Sequence, residues 1–120
     1  MLTTRLLFLA ATAAVLAGCA STPAGPPGKH LVYRDSAGNP IRQFDYPDDA
    51  FCRRVQSMAG GAARCQAETA SGLSAQATLR YNPPGVIIHG HYADMARCRA
   101  DTGTLSAGVE LVEACASKPR

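Results

Sequence analysis

The sequence predicts an α+β fold: one two-layer domain with a largely antiparallel sheet and two helices on one face, built from a duplicated β-β-α-β unit. Three observations carry this expectation. Tyr46-Pro47-Asp48-Asp49-Ala50-Phe51-Cys52-Arg53 and Tyr92-Ala93-Asp94-Met95-Ala96-Arg97-Cys98-Arg99 share the pattern Tyr-x-Asp-x-Ala-x-Cys-Arg at an offset of 46 residues. Each copy follows a Leu-x-Tyr segment, a turn and a second strand-like run, and each precedes Ala-Gly and another cysteine. The chain has 120 residues, 47% apolar and 18% charged, which gives room for one domain and is too apolar for a solvated disordered chain. Coincidence within an Ala-rich composition is the competing explanation of the repeat.

Repeat one spans about 30–69 and repeat two about 73–116, inside a domain expected over 29–120. In the first copy, a strand over 31–34 leads through the turn cluster Ser36-Ala37-Gly38-Asn39-Pro40 into a strand over 41–46, a hairpin. Asp48 follows where a helix N-cap is wanted, because its carboxylate can accept from the free amides of the first turn. Phe51, Val55 and Met58 recur at i, i+4 and i+7 on the expected buried face, and Gly60-Gly61 ends the helix. The second copy repeats this with Leu79-Arg80-Tyr81, the turn Asn82-Pro83-Pro84-Gly85, a strand through Tyr92 and the cap Asp94. Met95, Cys98 and Leu105 are its expected buried face, with Gly103 weakening the helix end. Returning strands are expected over 63–69 and 109–115.

The N-terminal segment has its own logic. Arg5 supplies a positive start, residues 6–16 form an apolar run too short to span a bilayer, and Leu16-Ala17-Gly18-Cys19 closes it with small residues before a cysteine. This resembles the lipobox of bacterial lipoproteins. The resemblance implies that residues 1–18 are a cleaved signal peptide, that the Cys19 thiol carries diacylglycerol, and that its new amino group is acylated, typically with palmitate. Ala20 and Ser21, in place of an Asp after the lipidated cysteine, imply sorting to the periplasmic face of the outer membrane. Residues 19–28 then comprise the lipidated Cys and a flexible Ser/Thr/Pro/Gly tether, able to reach roughly 30 Å from the lipid surface.

Export to an oxidising compartment makes two disulfides the default for Cys52, Cys65, Cys98 and Cys115. The spacing lacks the close pairs of a zinc ribbon. If the copies fold alike, Cys52 bonds Cys65 and Cys98 bonds Cys115. The other arrangement, Cys52 with Cys98 and Cys65 with Cys115, joins equivalent positions across the two copies and requires the helix starts to meet.

A formal charge of +3, with basic residues scattered along the chain, gives no basic groove and no expectation of a nucleic-acid partner. No nucleophile elbow or triad is visible, so no enzymatic activity and no cofactor are expected. The constellation closest to chemistry is on the second hairpin, where alternation puts His89 and His91 on one strand face, opposite Ile88, Gly90 and Tyr92. The matching strand puts Phe44 and Tyr46 on one face and Ile41, Gln43 and Asp45 on the other. His89 and His91 could ligate Zn²⁺ or Cu²⁺ with an adjacent carboxylate; the plainer reading is a solvated or partner-facing surface, with His30 at the edge of the tether. Tyr33, Tyr46, Tyr81 and Tyr92 are expected to fill the sheet–helix layer, the alternative being an aromatic platform for glycan or peptide. The expected function is that of a non-catalytic envelope lipoprotein, joined to the membrane by its lipid anchor, that binds or braces an envelope protein partner. The alternatives are a metal or small-molecule binder using His89 and His91, and an inhibitor of an envelope-targeting enzyme.

Overall fold

Two antiparallel hairpins make the middle of the sheet. In the computed structural model, which describes residues 28–119, β1 (His30–Arg34) returns as β2 (Pro40–Asp45). The Asp35 carboxylate closes the turn between them by accepting from the Ala37 and Asn39 amides, and Gly38 takes a φ of 86° that other residues avoid. The second hairpin is β4 (Ala75–Tyr81) with β5 (Val86–Tyr92).

Each hairpin feeds a helix through an Asp cap. Asp48 is extended and accepts from the Phe51 amide at 2.7 Å to start α1 (Asp49–Ala59). Asp94 does the same for the Arg97 amide at 2.7 Å at the head of α2 (Met95–Thr102). Gly60, at a φ of 85°, ends α1 and turns the chain into β3 (Ala63–Gln66). After α2 the chain returns as β6 (Val109–Ser117). Replacing either cap, Asp48→Ala or Asp94→Ala, is expected to cost about 1 kcal/mol, read from the urea midpoint.

The six strands lie in the order β3-β1-β2-β5-β4-β6, every neighbouring pair antiparallel. The front face carries Leu31, Phe44, Leu79, Ala77, Ala75, Ile88 and Tyr92, and both helices rest on it, α1 over β1 and β3 and α2 over β4, β5 and β6. Burying this face supplies the main apolar stabilisation of the domain. Two disulfides pin the helices to the outer strands: Cys52–Cys65 joins α1 to β3 and Cys98–Cys115 joins α2 to β6, with Cα–Cα distances of 6.1 and 6.0 Å.

Four details differ from the sequence expectation. Met58 is 78% exposed rather than buried. The Cys52–Cys65 bond centres the inner face of α1 on Cys52, Val55 and Ala59, and at 3.6 residues per turn Met58 lies about 100° around from that centre. Leu105 is not on α2, which stops at Thr102, but packs on the core from the following loop. The third strand ends at Gln66 rather than at 69, because the chain must leave one sheet edge and cross to β4, fifth in the order. His30, expected at the edge of the tether and just before the first strand, is the first residue of β1. The signal peptide 1–18, Cys19 and nearly all of the tether 19–28 lie outside the described residues. Among the described residues no helix is long and apolar enough to cross a membrane.

Candidate functional site: a histidine–aspartate cluster on the open face

The face away from the helices is polar, and strand register assembles its centre. β2 pairs with β5 so that Gln43 faces His91 and Asp45 faces His89, while the β1–β2 register sets His30 opposite Asp45. All these side chains therefore share one face. Asp45 is the hub. Its Oδ1 accepts from His30 Nδ1 at 2.6 Å and from Gln43 Nε2 at 2.7 Å, and its Oδ2 accepts from His91 Nε2 at 2.7 Å. A carboxylate only accepts, so the facing nitrogens of His30 and His91 carry the protons in these bonds.

Gln43 is 1% exposed, and its two ends are used differently. The amide nitrogen donates to Asp45 and Oε1 accepts from the Ala70 amide at 2.7 Å, so the crossover between β3 and β4 is fastened over this face. A buried amide with both ends paired avoids the cost of an orphaned polar group. At the same end of the sheet, the Lys118 amide donates to the Ser74 carbonyl at 2.8 Å, which holds the end of β6 against the end of the crossover.

Burial works against the Asp45 charge, but hydrogen bonds from His91, His30 and Gln43, with the charge of His91, outweigh it and hold this carboxyl well below the ordinary carboxylate range. Burial lowers the nearby Lys118 ammonium, and the Asp45 charge pulls it partly back.

Beside the hub is a cleft of about 360 Å³ lined by Asp45, Gln76, Thr78, His89, His91 and Glu113. His89 stands exposed at its rim. The structure thus brings His89 and His91 to one cleft, as alternation predicts, but His91 Nε2 is committed to Asp45 and its Nδ1 is buried with no hydrogen-bond partner. Among the described residues, no three His, Cys, Asp or Glu side chains form a metal-binding group. Asp–imidazole pairs serve general bases when a nucleophile reaches the far nitrogen. Here that nitrogen contacts no hydroxyl or thiol, and the four candidate thiols are tied up in disulfides. One carboxylate thus ties side chains of β1 and β5 together from its place on β2.

His30 and the lid contact at Ala70 are the members that sequence reasoning missed. No protein-family model, curated protein or solved structure matches the chain.

Proposed function

We propose that this chain is a non-catalytic, lipid-anchored component of the bacterial envelope that braces another envelope protein through one edge of its sheet. The observation that carries this reading is β6. It spans nine residues at the sheet edge, pairs only with β4, and leaves Leu111 and Val112 43% and 41% exposed. An unpaired edge offers main-chain donors and acceptors to an incoming strand, and adjacent apolar side chains give the contact specificity. The opposite edge, β3, has four residues. The lipobox resemblance at Cys19 and the paired cysteines support an oxidising compartment for the domain, and with the residues after Cys19 they favour the periplasmic face of the outer membrane.

Duplication belongs to the same reading. The units β1-β2-α1-β3 and β4-β5-α2-β6 have the same order, each with a disulfide from helix to last strand. They meet where Phe44 faces Gly90, positions separated by the same 46 residues that separate the two Asp caps. Outward from that pair the strands read β2-β1-β3 on one side and β5-β4-β6 on the other. The two edge strands are thus equivalent, and the long one is where the copies have diverged.

The experiment is photo-crosslinking in intact cells from Val112, with Ala96 on exposed α2 surface as control. A discrete adduct with an envelope protein is expected from Val112, absent from Ala96 and abolished by Leu111→Lys. Equal labelling from both positions, or none from Val112, overturns the edge-strand reading. Anchoring is tested separately: Cys19→Ser removes the acyl acceptor, so unprocessed precursor should accumulate and the acylated form should vanish from mass spectra. Recovery of acyl-free mature protein starting elsewhere, from the unaltered sequence, refutes lipidation.

A further inference from the structure

We propose that the cleft beside α2, on the front face, binds a single pyranose ring of a glycan. This rests on different residues from Leu111 and Val112 of β6, and either proposal can fail alone. The main contacts of α1 are with β1 and β3 and those of α2 with β4, β5 and β6, so neither helix packs closely on β2 at the centre of the front face. Tyr33, Phe44 and Tyr81, all half-buried, floor a cleft of about 250 Å³, and Thr104 and Ser106 from the loop after α2 line its side. That volume is just under the roughly 300 Å³ at which pockets for drug-sized ligands begin, which suits one ring and not an extended molecule.

The polar groups decide which ring. Arg42 stacks on Tyr33, 4.5 Å from the ring centroid, and its Nη1 donates to Asp101 Oδ2 at 3.1 Å. The two charges offset each other, so neither an anion nor a cation is favoured over its counterpart. What remains is a fork of N–H donors next to a carboxylate acceptor, each partner about a quarter to a third exposed. Adjacent hydroxyls of a sugar ring, each both donor and acceptor, match such a pair, and the threonine and serine hydroxyls extend it. The C–H face of the ring meets aromatic carbon, the division of labour usual in binding pockets. Burial raises Tyr33 and Tyr81 and pushes Tyr92 up to about 12, so the cleft's phenols stay neutral donors.

The sequence has no Trp and four Tyr, three of which line the cleft, so tyrosine emission reports occupancy directly. Full-length acylated protein in detergent is titrated with chitotriose and, separately, cellotriose, two pyranose trimers that differ in their acetamido groups. Saturable change with at least one, at a dissociation constant of about 0.1–10 mM, is expected. Arg42→Lys keeps the charge without the fork and should weaken binding by about tenfold, one hydrogen bond's worth. Thr104→Phe, at an exposed loop position, fills the cleft without adding a fluorophore that masks tyrosine and should abolish binding even if Arg42→Lys misfolds. No saturation with either trimer, or saturation unchanged by Thr104→Phe, overturns the proposal, as does displacement of a bound trimer by benzoate and not by free monosaccharide.

Discussion

Asp45→Ala is expected to destabilise the domain by about 2–4 kcal/mol, measured as a shift of the urea midpoint at neutral pH. The single carboxylate accepts from His30, Gln43 and His91, and its removal leaves three largely buried donors without their acceptor. Losing one partner of such a network costs more than the net worth of its bonds, because the stranded groups keep their desolvation penalty. Asp45→Asn keeps the shape and one acceptor oxygen, so it should fall between wild type and alanine. Equal midpoints for wild type and Asp45→Ala would show that the cluster is held by its surroundings and holds nothing itself.

The same residue predicts an acid limb. Asp45 is held low in the folded state, while an unfolded Asp titrates near 3.9. The unfolded chain therefore binds more protons in acid, so the contribution of Asp45 is complete above about pH 5 and is lost as pH falls through the carboxylate range. The gap between wild type and Asp45→Ala should accordingly be widest at neutral pH and close towards pH 2. A residual acid slope is expected in the variant from Asp35, whose carboxyl is held low chiefly by the Asn39 amide.

The sequence made the elements legible because their boundaries are set by local chemistry. The turn cluster at 36–40, the two Asp caps and Gly60 act within a few residues of themselves, and each appears at its expected place. Strand alternation likewise sorted Phe44 and Tyr46 from Gln43 and Asp45 without knowledge of any partner. The hub was also within reach. A hairpin centred on the predicted turn pairs residues whose numbers sum to about 75, and His30 with Asp45 satisfies that count, as do Leu31 with Phe44 and Tyr33 with Arg42. Starting the first strand at Leu31, with His30 at the edge of the tether, concealed it.

What local signals do not encode is which hairpin strands meet. The β2–β5 pairing and the crossover fastened at Gln43 are choices among sheet orders, decided by burial of the whole front face rather than by any segment. Gln43 on an alternating strand reads as solvated, yet it is buried because a segment 27 residues later covers it. Met58 failed for a related reason: periodicity finds an apolar stripe, but the disulfide selects where along its width the helix touches the sheet.

Removing either disulfide as a pair of alanines, Cys52→Ala with Cys65→Ala or Cys98→Ala with Cys115→Ala, is expected to cost about 3 kcal/mol. The bonds close loops of 13 and 17 residues, so the chain-entropy contributions are similar and the two costs should agree within about 1 kcal/mol. Location then separates them. Cys52–Cys65 holds α1 to an edge strand that pairs with β1 at four positions, whereas Cys98–Cys115 holds α2 to a strand that pairs with β4 at six. Loss of the first bond should therefore expose β3 and α1 amides to hydrogen exchange below the global unfolding energy, while loss of the second should lower protection more uniformly. Both removed together approach the whole stability of a domain this size, about 5–10 kcal/mol, and the chain should be unfolded or nearly so at 37 °C. Non-reducing peptide maps provide the direct check, with Cys52 linked to Cys65 and Cys98 to Cys115. A Cys52–Cys98 link would require the helix starts to meet across the sheet, and free thiols in protein isolated without reductant would remove the account of how so small a core is held together.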